Sequence, residues 1–329
     1  MTTVREVGIL GTGHYVPDRV LSNADLEKMV DTSDEWIVSR TGIRERRIAA
    51  PEQATSDLAY EAGRRALEDA GIAPTEVDLI VVATVTPDHL VPATSCIVQH
   101  RLGCVNAGAY DLEAACSGFV TAMANARALI ACGVVRTALV IGAETMSRIV
   151  NYEDRGSCII FGDAAGAMVL RADAPRGRIL DGSLGADGSG AFFMVVPAVG
   201  SREQATVDGV RAKRHLLVMN GSETFKFAVQ KFRDLVAEQC ERLKISPSEL
   251  SLVIPHQVNL RIIESALKKL DIGMDRIYVI LDKYGNSSSA SVPMAFDLAR
   301  REGRIKEGDL VSLVAFGAGL TWSSAMIRW

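Results

Sequence analysis

The sequence predicts an α/β fold built from two similar halves, and three observations carry that expectation. Short runs that are apolar at every position alternate with helical patterns along the whole chain, the pattern of strands covered on both faces. A break rich in Pro, Gly and charge, Ala172–Arg178, divides the 329 residues into near-equal parts, 1–174 and 175–329. On each side of the break a strand, a sharp turn of small residues and an Ala-rich helix succeed one another in the same order.

In chain order, a short helix is predicted around Trp36 and Arg40, capped by Thr32 and Glu35 and stopped by Gly42. Its two named side chains are four apart and share a face. Thr55–Ala70 is amphipathic and ends at Gly71, and Leu79–Val85 reads as a buried strand. Ala109–Leu112 is a strand that leads into the turn Cys116–Gly118. The stripe Phe119, Val120, Met123, Ala126 and Ile130 then predicts a buried helix as far as Cys132. The surrounding stretch, Ala114–Val135, is long enough to cross a bilayer, but Asn125 and Arg127 are costly in lipid and mark a core helix. Ala138–Ile141 and Ile160–Phe161 are further strand runs. In the second half, Leu252–Ile254, Ile277–Ile280 and Leu310–Phe316 read as strands. Val258–Leu270 is a helix with Ile263, Ala266, Leu267 and Leu270 on one stripe, and Gly285–Ser291 turns into a helix that ends at Arg301 with Pro293 in its first turn.

Composition narrows the function. Hydrophobic residues make up 48% and charged residues 23%, which excludes disorder for most of the chain. A net charge of −4 offers no basic excess for nucleic acid. The six cysteines (Cys96, Cys104, Cys116, Cys132, Cys158 and Cys240) form no C-x-x-C pair, so neither a zinc site nor a disulfide framework is expected. The stretch Met-Thr-Thr-Val-Arg-Glu-Val lacks the apolar core of a signal peptide, and a cytoplasmic protein without a membrane anchor is expected. Gly11-Thr-Gly13 fails as a dinucleotide fingerprint because Pro17 breaks any following helix, and Gly185–Gly190 lacks the Lys-Ser/Thr of a P-loop. No metal and no cofactor are expected.

Four segments could carry chemistry. Cys116 lies where a helix begins, and the free N–H groups and dipole there favour a thiolate; the alternative is a small buried hydrophobe. His256, in Pro255-His-Gln-Val-Asn-Leu-Arg261, follows a strand and precedes a helix, a place for a catalytic group or for a hydrogen-bonded cap. Among the other histidines only His14, in Gly-Thr-Gly-His-Tyr, competes with it. Asn286, in Gly285-Asn-Ser-Ser-Ser-Ala-Ser291, reads equally as an ordinary turn residue. Phe316-Gly-Ala-Gly-Leu-Thr-Trp322 could bring backbone N–H groups to a reacting carbonyl.

Together these segments resemble the β-ketoacyl-[acyl-carrier-protein] synthase III family of thiolase-fold condensing enzymes. Asp31-Thr-Ser-Asp-Glu-Trp-Ile37, Ala114-Ala-Cys-Ser-Gly-Phe119, Asp154-Arg-Gly156 and Phe161-Gly-Asp163 carry the resemblance with the segments above, so it spans nearly the whole chain. It implies a five-layered αβαβα fold of two similar halves, usually a homodimer. It implies that Cys116 accepts an acyl group from a short acyl-CoA, a substrate and not a cofactor. His256 and Asn286 would then hydrogen-bond the thioester oxygen of malonyl-acyl carrier protein as it loses CO2. It further implies backbone N–H groups of Cys116 and Gly319 as an oxyanion hole, and Phe316 as an apolar wall. Trp36 and Arg155 would sandwich the adenine of CoA, with Arg40 near its phosphates and Asn259 at the same mouth. Lys226, Gln257, Arg261, Lys268 and Lys269 would receive the acidic carrier protein. Val91 falls where the family often has a Phe that lines the acyl pocket across the dimer, so longer or branched primers are expected to fit. Ser287, Ser289, Ala318 and Ser323 depart from the commoner family residues without removing a reacting group. Three rivals remain at this point: a Cys-His-Asn hydrolase, a related condensing enzyme that makes quinolones or polyketide starters, and a non-catalytic binder of acyl thioesters.

Overall fold

The structure, a computed structural model, describes residues 4–329 and is built on two large sheets with helices outside and between them, beside two small two-stranded ribbons. The first sheet contains β1 (Val7–Tyr15), β2 (Leu79–Ala83), β3 (Gly108–Leu112), β4 (Thr137–Glu144) and β5 (Ala164–Ala172), in the spatial order β1-β5-β4-β2-β3. The second contains β6 (Arg178–Ala186), β7 (Leu252–Pro255), β8 (Leu310–Gly317) and β9 (Thr321–Arg328), in the order β6-β9-β8-β7. The two orders are the same topology once Ile277 is counted. Ile277 makes a single parallel bridge to Val253 beside β7, where β3 lies parallel beside β2. Ile277–Ile280 is therefore not the strand that its apolar run suggested. Only its first residue pairs, and Gln257 Oε1 accepts the Ile280 N–H at 2.9 Å instead. Ile160–Phe161 is not a strand either; Phe161 makes one bridge to Asn286, and β5 starts three residues later.

The helices form the other three layers. α1 (Asp34–Thr41), α2 (Thr55–Ala70), α3 (Thr94–Leu102), α4 (Gly118–Ala131), α5 (Gly221–Leu243), α6 (Leu260–Leu267) and α7 (Ser291–Arg301) follow in chain order. α2 and α3 cover the outer face of the first sheet through Leu58, Ala62, Ala66 and Val98, which pack on Ile80, Val82, Leu139 and Ile141. α5 and α6 cover the second sheet through Phe232, Leu235, Val236 and Ile263. α4 and α7 lie between the sheets in one fully buried cluster that includes Phe119, Met123, Ile130, Val292, Met294 and Phe296. This is the five-layered thiolase fold. α4 has no polar face to spare because both of its sides meet sheet, which is why its segment reads as apolar as a membrane span. No described helix is both long and apolar enough to cross a membrane.

Local chemistry sets the ends. α1 is capped by Ser33, not Thr32: Ser33 Oγ accepts the Trp36 N–H at 3.1 Å, while the Thr32 hydroxyl is buried without a hydrogen-bond partner. Gly42 closes α1 with φ 81°, a left-handed conformation that costs a side-chain-bearing residue more than glycine. α6 begins two residues later than expected, because Asn259 caps it by accepting the Arg261 N–H at 2.9 Å.

Candidate active site

Cys116 and His256 lie beyond the carboxyl ends of strands and converge with Asn286. Cys116 follows β3 and is the middle residue of a 3₁₀ turn, Ala115–Ser117, that feeds α4. His256 directly follows β7. Asn286 precedes a matching 3₁₀ turn, Ser288–Ala290, that feeds α7. All three are buried, and with Phe316 they line one cavity.

The Cys116 turn is held from both sides. Ser117 Oγ donates to the Ala114 carbonyl at 2.7 Å, and Ser323 Oγ on β9 donates to the Ser117 carbonyl at 3.0 Å. Gly317 presses on the same turn: a Cβ there would lie 2.6 Å from the Cys116 nitrogen. Ala115 sits at φ 46° and Ser288 at φ 48°, so each of the two facing turns carries one non-glycine residue in the left-handed region. Such a conformation costs on the order of 1–3 kcal/mol per residue and persists only where the surroundings over-determine it.

The hydrogen bonds around His256 and Asn286 define what each can offer. His256 Nδ1 is 2.8 Å from Ser291 Oγ, the hydroxyl at the start of α7. That oxygen also accepts the Gln257 N–H at 3.4 Å, and among the described residues Nδ1 is the one acceptor within hydrogen-bond distance of the Ser291 hydroxyl; with the hydroxyl proton given to Nδ1, the ring proton resides on Nε2. Asn286 Oδ1 accepts the Ser288 N–H at 2.8 Å, which leaves the amide NH₂ as the free end. The cavity is thus supplied with an imidazole N–H and an amide N–H. Phe316 meets the His256 ring edge-on at 5.8 Å.

Burial decides the charge state. It pushes the Cys116 thiol up to about 12; the neighbouring Ser288 hydroxyl opposes the rise and the nearby Glu144 carboxylate adds to it. Burial also lowers the His256 imidazole to about 3. The resting site therefore holds a neutral thiol and a neutral imidazole. This corrects the expectation of an ionised Cys116: α4 does begin beside the sulfur, but burial favours the neutral thiol.

Cys116 stands at the junction of two cavities. The outer one continues past Phe161, Phe225, Phe227 and Ala228 to Asn259. The inner one has a volume of about 160 Å³ and aliphatic walls that include Val85, Met146, Ile149, Val196 and Leu217. None of these inner-wall residues was singled out in the sequence, where they come from four separate segments with no shared pattern. Val91 is 85% exposed and does not line the inner cavity of its own chain.

At the outer end, Trp36 is flanked by two guanidinium groups, Arg155 at 4.6 Å and Arg40 at 5.7 Å from the ring centre. Arg155 also donates to the Asp31 carbonyl at 2.9 Å. An adenine between Trp36 and Arg155 requires roughly 7 Å, two contact distances. The sandwich expected from the sequence is closed in this structure, and Arg155 must swing out to admit a ring. Asn259 Nδ2 donates to the Arg40 carbonyl at 3.0 Å, so its side chain ties α1 to α6 as well as capping α6. Lys226 and Lys269 flank one groove between α5 and α6, with Arg261 exposed on α6 and Lys268 exposed at its C-terminal cap. Gln257 does not belong with them. It is fully buried, and its amide donates to the Pro255 and Tyr278 carbonyls at 2.8 and 3.0 Å, so it holds the strand end and cannot touch a partner protein. Gly319 follows β8 next to Ala318, which lines the inner cavity with Cys116. His14 lies elsewhere, paired with Asp297 at 2.6 Å. Among the described residues no group of three or more His, Cys, Asp or Glu is placed to hold a metal ion.

Two family models match the chain: 3-oxoacyl-[acyl-carrier-protein (ACP)] synthase III over residues 110–188, and the C-terminal part of the same family over residues 240–329. A β-ketoacyl-[acyl-carrier-protein] synthase III of Caldanaerobacter subterraneus is 54% identical over 98% of this chain and 97% of its own. The crystal structure of the synthase III from Thermus thermophilus superposes with a TM-score of 0.90 at 44% identity, covering 98% of this chain and 99% of that one. The Aquifex aeolicus synthase III gives 0.90 at 42% identity, covering 98% and 100%.

Proposed function

The chain belongs to the 3-oxoacyl-[acyl-carrier-protein] synthase III family, and from that premise we propose how its site condenses an acyl-CoA primer with malonyl-acyl carrier protein. The products are 3-oxoacyl-acyl carrier protein and CO2, at the first condensation of type II fatty-acid synthesis. One observation carries the residue assignment: a buried thiol and two neutral hydrogen-bond donors from the opposite half share a single cavity.

In the first half-reaction Cys116 sulfur attacks the thioester carbonyl, CoA departs as its thiol, and the acyl chain extends into the inner cavity. The Cys116 N–H and the Gly319 N–H stabilise the oxyanion. In the second, the malonyl thioester carbonyl sits before His256 Nε2–H and Asn286 Nδ2–H. Negative charge grows on that oxygen as CO2 leaves, and two converging neutral donors stabilise it without repelling it. Beside them the apolar Phe316 face disfavours the charged carboxylate more than neutral CO2. The enolate carbon then attacks the acyl thioester and releases the Cys116 sulfur. Trp36, Arg40, Arg155 and Asn259 form the CoA mouth. Lys226, Arg261, Lys268 and Lys269 form the basic rim that draws in the acidic carrier protein. The reaction needs no cofactor and takes place in the cytoplasm. The working unit is a homodimer in which the exposed Leu90–Val91 segment and the edge strand β3 face a second copy, and Val91 of one copy borders the acyl cavity of the other.

Intact-protein mass spectrometry after incubation with a panel of acyl-CoAs tests the reading. The expected result is a single acyl mass gain, absent in Cys116→Ala, that is discharged as 3-oxoacyl product when malonyl-acyl carrier protein is added. Release of free acid with no such product would make the chain a hydrolase instead.

A further inference from the structure

The neutral thiol raises a question of proton bookkeeping that His256 does not answer. Its Nδ1 already accepts from Ser291, and its free nitrogen carries a proton. Cys116 has a second polar neighbour, however. The Ser288 hydroxyl lines the inner cavity beside the thiol and lowers it against the effect of burial. The same hydroxyl donates to Glu144 Oε1 at 3.0 Å. Glu144 ends β4 and is fully buried, with no cation among its partners. Its oxygens collect donors: Thr86 Oγ1 at 2.7 Å, Ser289 Oγ at 2.8 Å, the Val85 N–H at 3.1 Å and Thr84 Oγ1 at 3.2 Å. Burial raises the Glu144 carboxyl and these donors lower it, so the two protonation states are brought closer than for a carboxylate in water. The other carboxylate near the sulfur, Glu113, is exposed and accepts the Ala115 N–H at 3.0 Å, with no hydroxyl between it and the thiol. Ser288, the link in the chain, is also the residue held at φ 48°.

We propose that Glu144 is the proton store for Cys116, reached through the Ser288 hydroxyl. As Cys116 sulfur bonds to the acyl carbon, the thiol proton passes to Ser288 Oγ and the Ser288 proton passes to Glu144 Oε1. CoA leaves as thiolate and takes a proton from solvent. Glu144 stays neutral while the acyl group is on sulfur, so no buried carboxylate opposes the enolate formed in the same cavity. When condensation expels Cys116 as thiolate, the proton returns along the same path, and one solvent proton is consumed per turnover. The inference rests on Cys116 as the acyl-accepting thiol. In it Ser288 touches the reacting sulfur, and Glu144 acts through Ser288.

The test follows alkylation of Cys116 by iodoacetamide between pH 6 and 10, read on the Cys116 peptide by mass spectrometry. It uses neither acyl-CoA nor carrier protein, so it can succeed or fail independently of the condensing activity. Glu144→Gln is expected to slow alkylation at pH 7 by about tenfold or more, the scale of general-base assistance, and to move the rising limb of the pH profile upward. Ser288→Ala is expected to do the same while leaving four other donors on Glu144, and the double variant should be no slower than either single one. Charge alone predicts the opposite, because removing a carboxylate that raises the thiol makes alkylation faster and shifts the limb downward. An unchanged or downward-shifted profile in Glu144→Gln, or single effects that multiply in the double variant, would overturn the proposal. If Glu144→Gln does not fold, Ser288→Ala alone decides, with an unshifted profile counting against it.

Discussion

The turn at Cys116 and the turn at Ser288–Ala290 occupy equivalent places in the two halves. Each follows the edge position of its sheet, each contains one non-glycine residue with positive φ, and each feeds one of the two central helices. Their side chains differ in kind. The first presents a sulfur in the middle of the turn, while the second presents hydroxyls and is preceded by an amide. The sulfur can form a bond and the second set can only donate and accept protons, so in the proposed reaction one half serves covalent chemistry and the other stabilises charge. Both turns feed helices of the one buried cluster between the sheets, which holds sulfur and donors in place at little entropic cost during reaction.

The sharpest way to break this division is to remove a donor from the second half. Asn286→Ala is expected to lower the condensation rate by 10²–10³, the usual loss for one oxyanion donor, while self-acylation from acyl-CoA remains within a few-fold of the parent. Rapid-quench measurement of acyl-enzyme formation, set against steady-state turnover, separates the two. Equal losses in both half-reactions would show that Asn286 serves the sulfur as well, and the halves would not be divided as described.

A second effect concerns the charge state that both turns share. His256 in the folded chain titrates near 3, below its ordinary value of 6.5. Below pH 6.5 the unfolded chain takes up a proton that the folded chain refuses. The stability associated with neutral His256 is therefore full above pH 6.5 and declines as pH falls toward 3. The slope attributable to this one residue is about 1.4 kcal/mol per pH unit. Urea unfolding of the parent and of His256→Gln across pH 4.5–7.5 isolates it. Parallel stability curves for the two proteins would mean that the imidazole is solvated.

How much of this was legible in the sequence differs between the halves for a physical reason. α2, with its polar outer face and Gly71 stop, and the buried stripe of α4 are local patterns and were read to within a residue or two. Ile277–Ile280 misled because an apolar segment at a sheet edge can be buried after a single bridge; the amide of Gln257 takes the Ile280 N–H instead. Cys116 and His256 lie at strand ends and Asn286 before a turn, and each could be nominated one by one. Their partners could not, since Ser291 meets His256 across 35 positions and Glu144 meets Ser288 across 144. Gln257 was misplaced on the surface for the related reason that a polar residue beside basic ones looks solvated until its carbonyl partners are seen. The thiol's charge was misjudged because a helix start is visible in sequence and the depth of burial is not.

Ser291 gives the smallest and most selective test. Its hydroxyl opens α7 and occupies the position that Gly118 holds at the start of α4, so it is a feature of the second half alone. Ser291→Ala removes the proton donated to His256 Nδ1 but no group that lines the cavity. Without it the ring proton can settle on either nitrogen, and the fraction with Nε2–H falls. One neutral hydrogen bond contributes about 0.5–1.5 kcal/mol net, so condensation should slow by about 3- to 10-fold. The KM for malonyl-acyl carrier protein should be little changed, because the lost interaction acts on developing charge and not on substrate docking. Ser291→Thr, which restores a hydroxyl to the helix start, should recover most of the rate. A loss in Ser291→Ala that Ser291→Thr fails to recover, accompanied by a fall in thermal stability, would assign the hydroxyl to packing of α7 instead of to the tautomer of His256.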